Sequence, residues 1–90
     1  MKFEWDENKN QENIKKHGGI SFQEATKVFD DLMGVDLDDT QKGEFRLNRI
    51  GFADFKLLHV SYIWKGDKIR IISARRAEPH EERLYAETNS

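Results

Sequence analysis

The stretch from Ile69 to Arg76 holds the residues whose types and spacing best suggest chemistry. It reads Ile-Arg-Ile-Ile-Ser-Ala-Arg-Arg, a pattern typical of a β-strand in which an arginine interrupts an apolar run. Arginine carries a permanent charge on a planar fork of N–H donors that fits phosphate oxygens. The cluster therefore suggests a sheet edge that binds RNA. The alternative is a solvated strand whose arginines pair with nearby carboxylates.

Charge is distributed unevenly along the chain. The 90 residues have a net charge of −2, yet residues 1–44 carry eleven acidic residues against six lysines, and residues 45–90 carry nine basic residues against six acidic ones. All six arginines lie in the second half. Because a nucleic-acid binder needs only a local basic patch, the overall charge leaves that function open. The alternative is that the two halves neutralise each other across the fold.

Length and composition limit the possible classes of protein. The length predicts a single domain over residues 1–90. Cysteine is absent and the three histidines lack the spacing of metal ligands, so we expect no metal site and no cofactor. No stretch of the sequence is apolar enough to span a bilayer, and the first residues do not read as a signal peptide. We therefore expect a cytoplasmic protein without a membrane contact.

Three helices are predicted to frame the strands. Asp6 can cap a first helix over about residues 7–17. Ser21-Phe22-Gln23-Glu24 reads as a capping box that opens a second helix, whose apolar stripe runs from Phe22 to Leu32. Pro79 is suited to the first turn of a C-terminal helix.

Four strands are predicted between the second and third helices. A weak edge strand over residues 34–38 precedes three stronger strands at about 44–50, 56–64 and 68–75. Because short turns join the stronger strands, they should form an antiparallel meander. The predicted fold class is therefore α+β, with two N-terminal helices packed on one face of a four-stranded antiparallel sheet and a C-terminal helix.

Alternation along these strands predicts one apolar and one charged sheet face. The residues expected to be buried together are Phe22, Val28, Phe29, Leu58, Val60, Ile69 and Ile71. Phe45, Tyr62 and Trp64 share the parity of this apolar face. The opposite face is expected to collect Glu44, Arg46, Asn48, His59, Ser61 and Arg70, and Arg76 joins them if the last strand has no bulge.

A series of short motifs is arranged in a specific order along the chain. In sequence they are Phe3-Glu4-Trp5-Asp6, Asn13 with Lys16-His17-Gly18, Ser21-Phe22 with Glu24-Ala25, Val28-Phe29-Asp30-Asp31, Glu44, Arg46, Ile50-Gly51, Gly66-Asp67, Ile69 to Ala77, Glu81 and Tyr85. In this order and spacing the chain resembles the BrnT toxins of bacterial type II toxin–antitoxin modules over nearly its whole length. The resemblance implies a fold similar to that of RelE-type toxins, which are small ribonucleases with helices packed on an antiparallel sheet.

The resemblance also implies a function and partners. The implied protein is a toxin that cleaves RNA and blocks translation, either on free RNA or on the ribosome. The implied partner is a ribbon-helix-helix antitoxin (BrnA-like), usually encoded next door, which neutralises the toxin and represses the operon. DNA would then be contacted only through the antitoxin. Acidic antitoxin residues would suit the charges of Arg70, Arg75 and Arg76.

The chemistry of RNA cleavage without a metal assigns roles to candidate residues. The substrate's 2′-hydroxyl attacks the adjacent phosphate, so the protein must remove that proton, stabilise the phosphorane and protonate the leaving 5′-oxygen. Glu44 is the candidate general base and Arg46 a phosphate clamp, because positions i and i+2 share a strand face. Arg70 and Arg75 are the other clamp candidates. Tyr85 could stack on a base or donate its phenol.

Three further points stay open at the level of sequence. Arg76, Tyr85 and Lys16 are candidates for RNA binding rather than for catalysis. His59 is expected to fill the polar sheet face rather than to act as a base. The candidate cluster around Arg46 could instead be a ladder of surface ion pairs across strands. The chain could accordingly be a non-cleaving RNA- or ribosome-binding inhibitor, or an inactive relative retained for antitoxin binding.

Overall fold

A five-stranded mixed sheet organises the fold in the computed structural model, which describes residues 1–39 and 45–90. The strand bounds are Lys2–Glu4 for β1, Val35–Asp39 for β2, Arg46–Ala53 for β3, Lys56–Lys65 for β4 and Lys68–Arg76 for β5. The spatial order is β1-β5-β4-β3-β2, and every neighbouring pair is antiparallel except β1 with β5, which is parallel. The α+β class and the antiparallel meander are confirmed.

The prediction of four strands was wrong because it omitted β1. Phe3 pairs with Ile69 and Glu4 with Arg70, so the N-terminal segment forms a parallel edge strand beside β5. A strand of three residues is too short to show a period of two, and a parallel pair is joined through a long connection rather than a turn. Local pattern therefore gives no signal for this pairing.

Three α-helices and one 3-10 helix surround the sheet in the described residues. Their bounds are Glu7–Lys16 for α1, Phe22–Ala25 for α2, Thr26–Asp30 for the 3-10 helix and Pro79–Thr88 for α3. Asp6 and Ser21 cap α1 and α2 as predicted, since each side chain accepts a hydrogen bond from a backbone N–H of the first turn. No helix in this part of the chain is long and apolar enough to cross a lipid bilayer.

The second predicted helix changes its geometry after one turn. Regular α-helix ends at Ala25, and after the 3-10 helix Asp31 adopts an extended conformation with φ −79° and ψ 107°. Leu32, which was predicted to continue the buried stripe, lies in the following turn with 97% of its surface exposed. Phe22, Ala25 and Val28 stay buried together, but the helical segment ends at Asp30, so Leu32 no longer has a position on the buried face.

The hydrophobic core lies between the inner sheet face, defined here as the face bearing Leu58 and Val60, and the helical segments before β2. Its buried members are Ile20, Phe22, Ala25, Val28, Ala53, Leu58, Val60, Tyr62, Ile69, Ile71 and Ala74. Six of the seven residues predicted to be buried together are in this list. The seventh, Phe29, is half-buried, and its ring lies 5.4 Å from that of Phe3 and 4.9 Å from that of Tyr62.

Two residues predicted to share the apolar face are not covered. Phe45 is 66% exposed and Trp64 is 50% exposed. The helical segments that pack on the inner face after α1 span only Phe22–Asp30, while β4 alone has ten residues. They are too short to cover the end of the sheet where Phe45 and Trp64 lie.

A β-bulge in β5 determines which arginines share a face. Ser61 pairs with Ser73 but Tyr62 pairs with Ile71, so Ile72 is an additional residue in β5. The extra residue reverses the alternation downstream. Arg75 therefore lies on the outer face, defined as the face bearing His59 and Ser61, whereas Arg76 lies opposite Leu58 and has the parity of the inner face. Arg76 was expected to share the face of Arg70 only if β5 had no bulge, and the bulge places it on the other face.

The side chain of Asn13 joins α1 to the edge of β5. Beyond the short strand β1, the carboxamide of Asn13 occupies the position of a strand partner. Its Nδ2 donates to the Ala74 carbonyl at 2.8 Å, and its Oδ1 accepts from the Ala74 N–H at 3.2 Å. Nδ2 also donates to the carbonyl of Ile20 at 3.0 Å. Asn13 is 6% exposed, so these backbone groups have little access to water.

We expect Asn13→Ala to destabilise the protein by about 2 to 4 kcal/mol, because it leaves buried backbone donors and acceptors without partners. Urea unfolding followed by circular dichroism measures the loss. Lys15→Ala is the matched control, since Lys15 lies exposed on the same helix. An Asn13→Ala variant with the wild-type unfolding midpoint would show that the carboxamide does not hold this edge.

Candidate active site

Helix α3 covers one end of the outer sheet face. Pro79 occupies its first turn, and Glu78 and Glu81 form a reciprocal capping box. Further along the helix, the Tyr85 ring meets the Phe52 ring edge-on at 5.4 Å. The Tyr85 hydroxyl donates to the Asp31 carboxylate at 2.8 Å. These contacts fix the position of α3 over the ends of β3, β4 and β5.

The carboxylate of Glu81 is the centre of a buried polar cluster beneath the start of α3. Arg75 donates to both of its oxygens, from Nη1 at 2.8 Å and from Nη2 at 3.0 Å. The backbone N–H of Glu78 donates to Oε1 at 2.8 Å. The Nε2 atom of His59 lies 3.4 Å from Oε2. Glu81 is only 6% exposed, so this carboxylate is held in one orientation from three sides.

The environment sets the protonation states of this cluster. Burial lowers the pKa of His59 below its ordinary value, and the charge of Arg75 acts in the same direction, although the Glu81 carboxylate opposes both. Burial alone would raise the pKa of Glu81, but hydrogen bonds from Arg75 and from the Glu78 N–H lower it below its usual range. At neutral pH a neutral imidazole therefore lies beside an ionised carboxylate. That pairing can accept a proton and stabilise the resulting imidazolium.

A row of polar side chains extends from the cluster across the outer face. Ser61, two residues after His59 on β4, donates to Asn48 Oδ1 at 2.7 Å. Asn48 in turn donates to Asp39 at 3.4 Å, and Asp39 lies opposite Arg46 in the β2–β3 register. Hydrogen-bond donors and acceptors therefore form a continuous row from β4 across β3 to the edge strand β2.

Arg70 lies on the same face but farther along β5. Its Nη1 donates to Glu4 Oε2 at 2.7 Å, and both side chains are about one-third exposed. At about 3.3 Å per residue, Arg70 and Arg75 are separated by roughly 15 Å along the strand. Two arginines at this separation cannot hold the same phosphate. They can contact different phosphates of one strand.

The structure brings together only some of the residues predicted from sequence. Glu44 lies outside the described residues. Arg46, Arg70 and Arg75 share the outer face, whereas Arg76 is exposed with the opposite parity. Lys16 lies at the end of α1, where it lines a cavity of about 180 Å³ together with residues of β5.

Tyr85 has a packing role in this arrangement. Its hydroxyl is engaged by Asp31 and its ring by Phe52. Burial and the hydrogen bond to Asp31 raise the pKa of Tyr85 to about 12. The phenol is therefore a poor proton donor at neutral pH, and the ring is not free to stack on a base while α3 is docked.

His59 and Glu81 are candidate functional residues that were not assigned a role from sequence. His59 was expected to fill the polar face, and its burial depends on α3, which lies about twenty residues later in the chain. Glu81 had a detectable local signal, because an acidic residue three positions after Glu78 and two after a proline is typical of a capping box. No local pattern indicates that the same carboxylate also binds Arg75.

Arg49 also received no role from the sequence, and its contacts are structural. Its guanidinium donates to the carbonyls of Val28 and Asp31 at 2.9 and 2.7 Å and to the Asp36 carboxylate at 2.6 Å. It thereby binds the end of the 3-10 helix to β2 and β3. A Cβ atom at Gly34 would overlap this guanidinium, so a larger residue there would have to displace Arg49 from these contacts.

Ligand atoms of Glu78, His80 and Glu81 lie within 4.8 Å of one another. Both oxygens of Glu81 already accept hydrogen bonds from Arg75, so a cation at this point would have to displace a guanidinium. We assign no metal to this group.

Comparison with known proteins identifies a family. A family model described as "Ribonuclease toxin, BrnT, of type II toxin-antitoxin system" matches residues 5–81 of this chain. The matched segment includes His59, Arg75 and Glu81, together with Arg46 and Arg70 on the same sheet face. No curated protein matches the chain.

The lowered pKa of His59 predicts that the folded protein loses stability as the pH falls. The unfolded chain binds a proton on His59 near about pH 6.5, whereas the folded chain resists it, so the free energy of unfolding should decrease as the pH falls through and below about 6.5. Glu81 contributes in the same direction at lower pH. Urea unfolding measured at several pH values tests this. His59→Gln should flatten the dependence in that window, while His80→Gln, at an exposed position, should retain it.

Proposed function

The chain belongs to the BrnT family of ribonuclease toxins of type II toxin–antitoxin systems, and we propose that it is a metal-independent endoribonuclease that blocks translation. The observation that carries this proposal is the cluster in which Glu81 binds Arg75 through both oxygens and lies 3.4 Å from a neutral His59. It combines a proton acceptor, an ionised partner and a permanent positive charge on one sheet face.

In the proposed reaction His59 acts as the general base. Its imidazole takes the proton of the substrate's 2′-hydroxyl, the 2′-oxygen forms a bond to the adjacent phosphorus, and the bond from phosphorus to the 5′-oxygen breaks. Glu81 stabilises the imidazolium that forms. The imidazolium can then return its proton to the leaving 5′-oxygen, so the reaction needs no metal and yields a 2′,3′-cyclic phosphate.

The arginines of the outer face supply positive charge to the substrate. Arg75 keeps Glu81 ionised and oriented, and its side chain is still 32% exposed, which leaves donors for a phosphate. Because Arg70 and Arg75 are far apart on β5, we assign them to different phosphates of the same RNA strand. Arg46 lies on β3, at the other end of the polar row, and extends this track.

Glu44 remains the competing candidate for the general base. It precedes Arg46 by two positions, the spacing that places two side chains on one strand face. The two candidates make different predictions. A glutamate base would function independently of α3, whereas His59 depends on Glu81 and hence on the docking of that helix.

The family also supplies the partners of this proposal. A type II toxin acts on RNA and has an antitoxin. We propose that the antitoxin is of the ribbon-helix-helix type and that the toxin reaches DNA only through it. RNA is then the macromolecule contacted by the outer face, with Arg76 and Lys16 as additional contacts beyond that face.

We expect the pure protein to cleave RNA in the presence of EDTA and to leave 2′,3′-cyclic phosphate ends. His59→Gln should lower the rate by about 10²-fold or more with little change in RNA affinity, since it removes a base and retains a hydrogen-bonding group. Mapping the cut ends and measuring single-turnover rates tests both statements.

Glu44→Gln is the comparison variant for this experiment. A large loss of rate in Glu44→Gln together with full activity in His59→Gln would assign the base to Glu44 and contradict the role given to His59. Tight RNA binding without cleavage by the wild-type protein would instead favour a non-cleaving inhibitor.

We expect Arg70→Ala to weaken RNA binding and to reduce the salt dependence of that binding, because one phosphate contact is lost. If Arg70 only binds the RNA backbone, a higher RNA concentration should restore the cleavage rate. Arg76→Ala should have a smaller effect, since Arg76 has the opposite parity. Arg83→Ala, at an exposed position of α3, is the charge-matched control. An unchanged affinity and salt slope in Arg70→Ala would exclude Arg70 from the RNA track.

A further inference from the structure

Two turns at one end of the sheet place large apolar side chains in solvent. Phe55 occupies the two-residue turn between β3 and β4 and is 99% exposed. Leu32 lies in the turn after the 3-10 helix and is 97% exposed. Asp54 adopts a positive φ of 56°, a conformation that suits aspartate. Phe55 does not have a positive φ, and the turn geometry does not require a large apolar side chain at that position.

An acidic cavity lies beside both turns. Its volume is about 430 Å³, and its lining residues are Lys27, Asp30, Asp31, Phe52 and Asp54. Leu32 follows Asp31 directly in the chain and Phe55 follows Asp54. Phe52, which lines the cavity, is 42% exposed, and Met33, two residues after Asp31, is 58% exposed. Phe52 thus lines a cavity that contains carboxylates, and three more exposed apolar residues follow lining residues closely in the chain.

The charge of this cavity is negative. Lys27 pairs with Asp54 at 2.8 Å, which neutralises one carboxylate. Asp31 accepts hydrogen bonds from Tyr85 and from the Phe52 and Met33 N–H groups, and these bonds keep the pKa of Asp31 below its usual range against the effect of burial. Asp30 is exposed at the rim. A phosphate backbone would be repelled here, so the surface is unsuited to RNA.

We propose that this surface, defined by Leu32, Phe52, Phe55 and Asp30, is a docking site for the antitoxin. The fitting segment carries a basic side chain for the acidic cavity and apolar side chains for its rim. Exposed apolar groups around a charged cavity are typical of a protein interface, where apolar anchors supply affinity and charge pairs fix orientation. The inference rests on the antitoxin partner of the proposed function and is independent of RNA cleavage.

This site differs from the one expected from sequence, where acidic antitoxin residues would pair with the arginines. Arg70 already pairs with Glu4, and Arg75 already pairs with Glu81. The proposed function assigns the remaining donors of these arginines to RNA, and the acidic cavity is a separate surface. At the acidic cavity a basic segment would displace only water and the exposed Lys27–Asp54 pair.

The affinity of purified toxin for the antitoxin of its own operon tests the proposal. The double variant Leu32→Ser, Phe55→Ser should raise the Kd by about 10-fold or more, since it removes two apolar anchors. Asp30→Lys should also raise the Kd by reversing a charge at the cavity. Phe45→Ser, Trp64→Ser removes two large apolar side chains, 66% and 50% exposed, from the other end of the sheet and should leave the Kd unchanged.

Two further readouts separate the possible failures. Free Leu32→Ser, Phe55→Ser toxin should cleave RNA and unfold like the wild type, because both side chains are almost fully exposed. If this variant binds the antitoxin with wild-type affinity while Arg70→Ala, Arg76→Ala does not, the arginine surface is the interface and the proposal is overturned, although the proposed function stands. If the wild-type toxin does not bind the antitoxin, both the docking site and the partner assigned under the proposed function are wrong.

Discussion

The buried carboxylate of Glu81 must accept several hydrogen bonds, and this requirement determines the geometry of the outer sheet face. An ionised carboxylate removed from water is strongly unfavourable unless its oxygens accept several hydrogen bonds. Here Arg75, near the end of β5, and the N–H of Glu78, three residues later, supply them. The end of β5 and the first turn of α3 must therefore meet at one point. His59 is half-buried beside that point, and its neutral state follows from the same packing.

The bulge in β5 is the second constraint, because it determines which arginine of β5 lies on the outer face beside His59. Without the additional residue Ile72, Arg76 rather than Arg75 would have the parity of His59. Downstream of the bulge, Asn13 binds both backbone groups of Ala74 and closes the edge of the strand. A side-chain amide in that position prevents further strand addition, and it fixes α1 beside the sheet. The bulge and the amide together end the sheet next to the candidate active site.

The sequence predicts those features that depend on local pattern. It does not predict the features that depend on contacts between residues far apart in the chain. Alternation in β3 and β4 places Leu58 and Val60 in the core, and Asp6 and Ser21 mark two helix starts. The run Ile71-Ile72-Ser73 carries no residue that signals a bulge, since apolar residues fit either register. Three residues of β1 are too few to show a period. In the candidate site, the arginines are recognisable by type, whereas the role of His59 follows from a helix that packs on it from a distance in sequence.

The two functional surfaces differ in charge and are connected through α3. In the proposed function the outer face presents arginines to RNA, while the proposed docking surface presents carboxylates and apolar groups, so a chain with a small net charge could recognise two unlike partners. Phe52 belongs to both regions, because it lines the acidic cavity and also packs against Tyr85 of α3. The same helix carries Glu81 four residues earlier, about one turn away. A partner bound against Phe52 would therefore contact a residue that packs on α3, the helix that holds the Glu81 carboxylate beside His59.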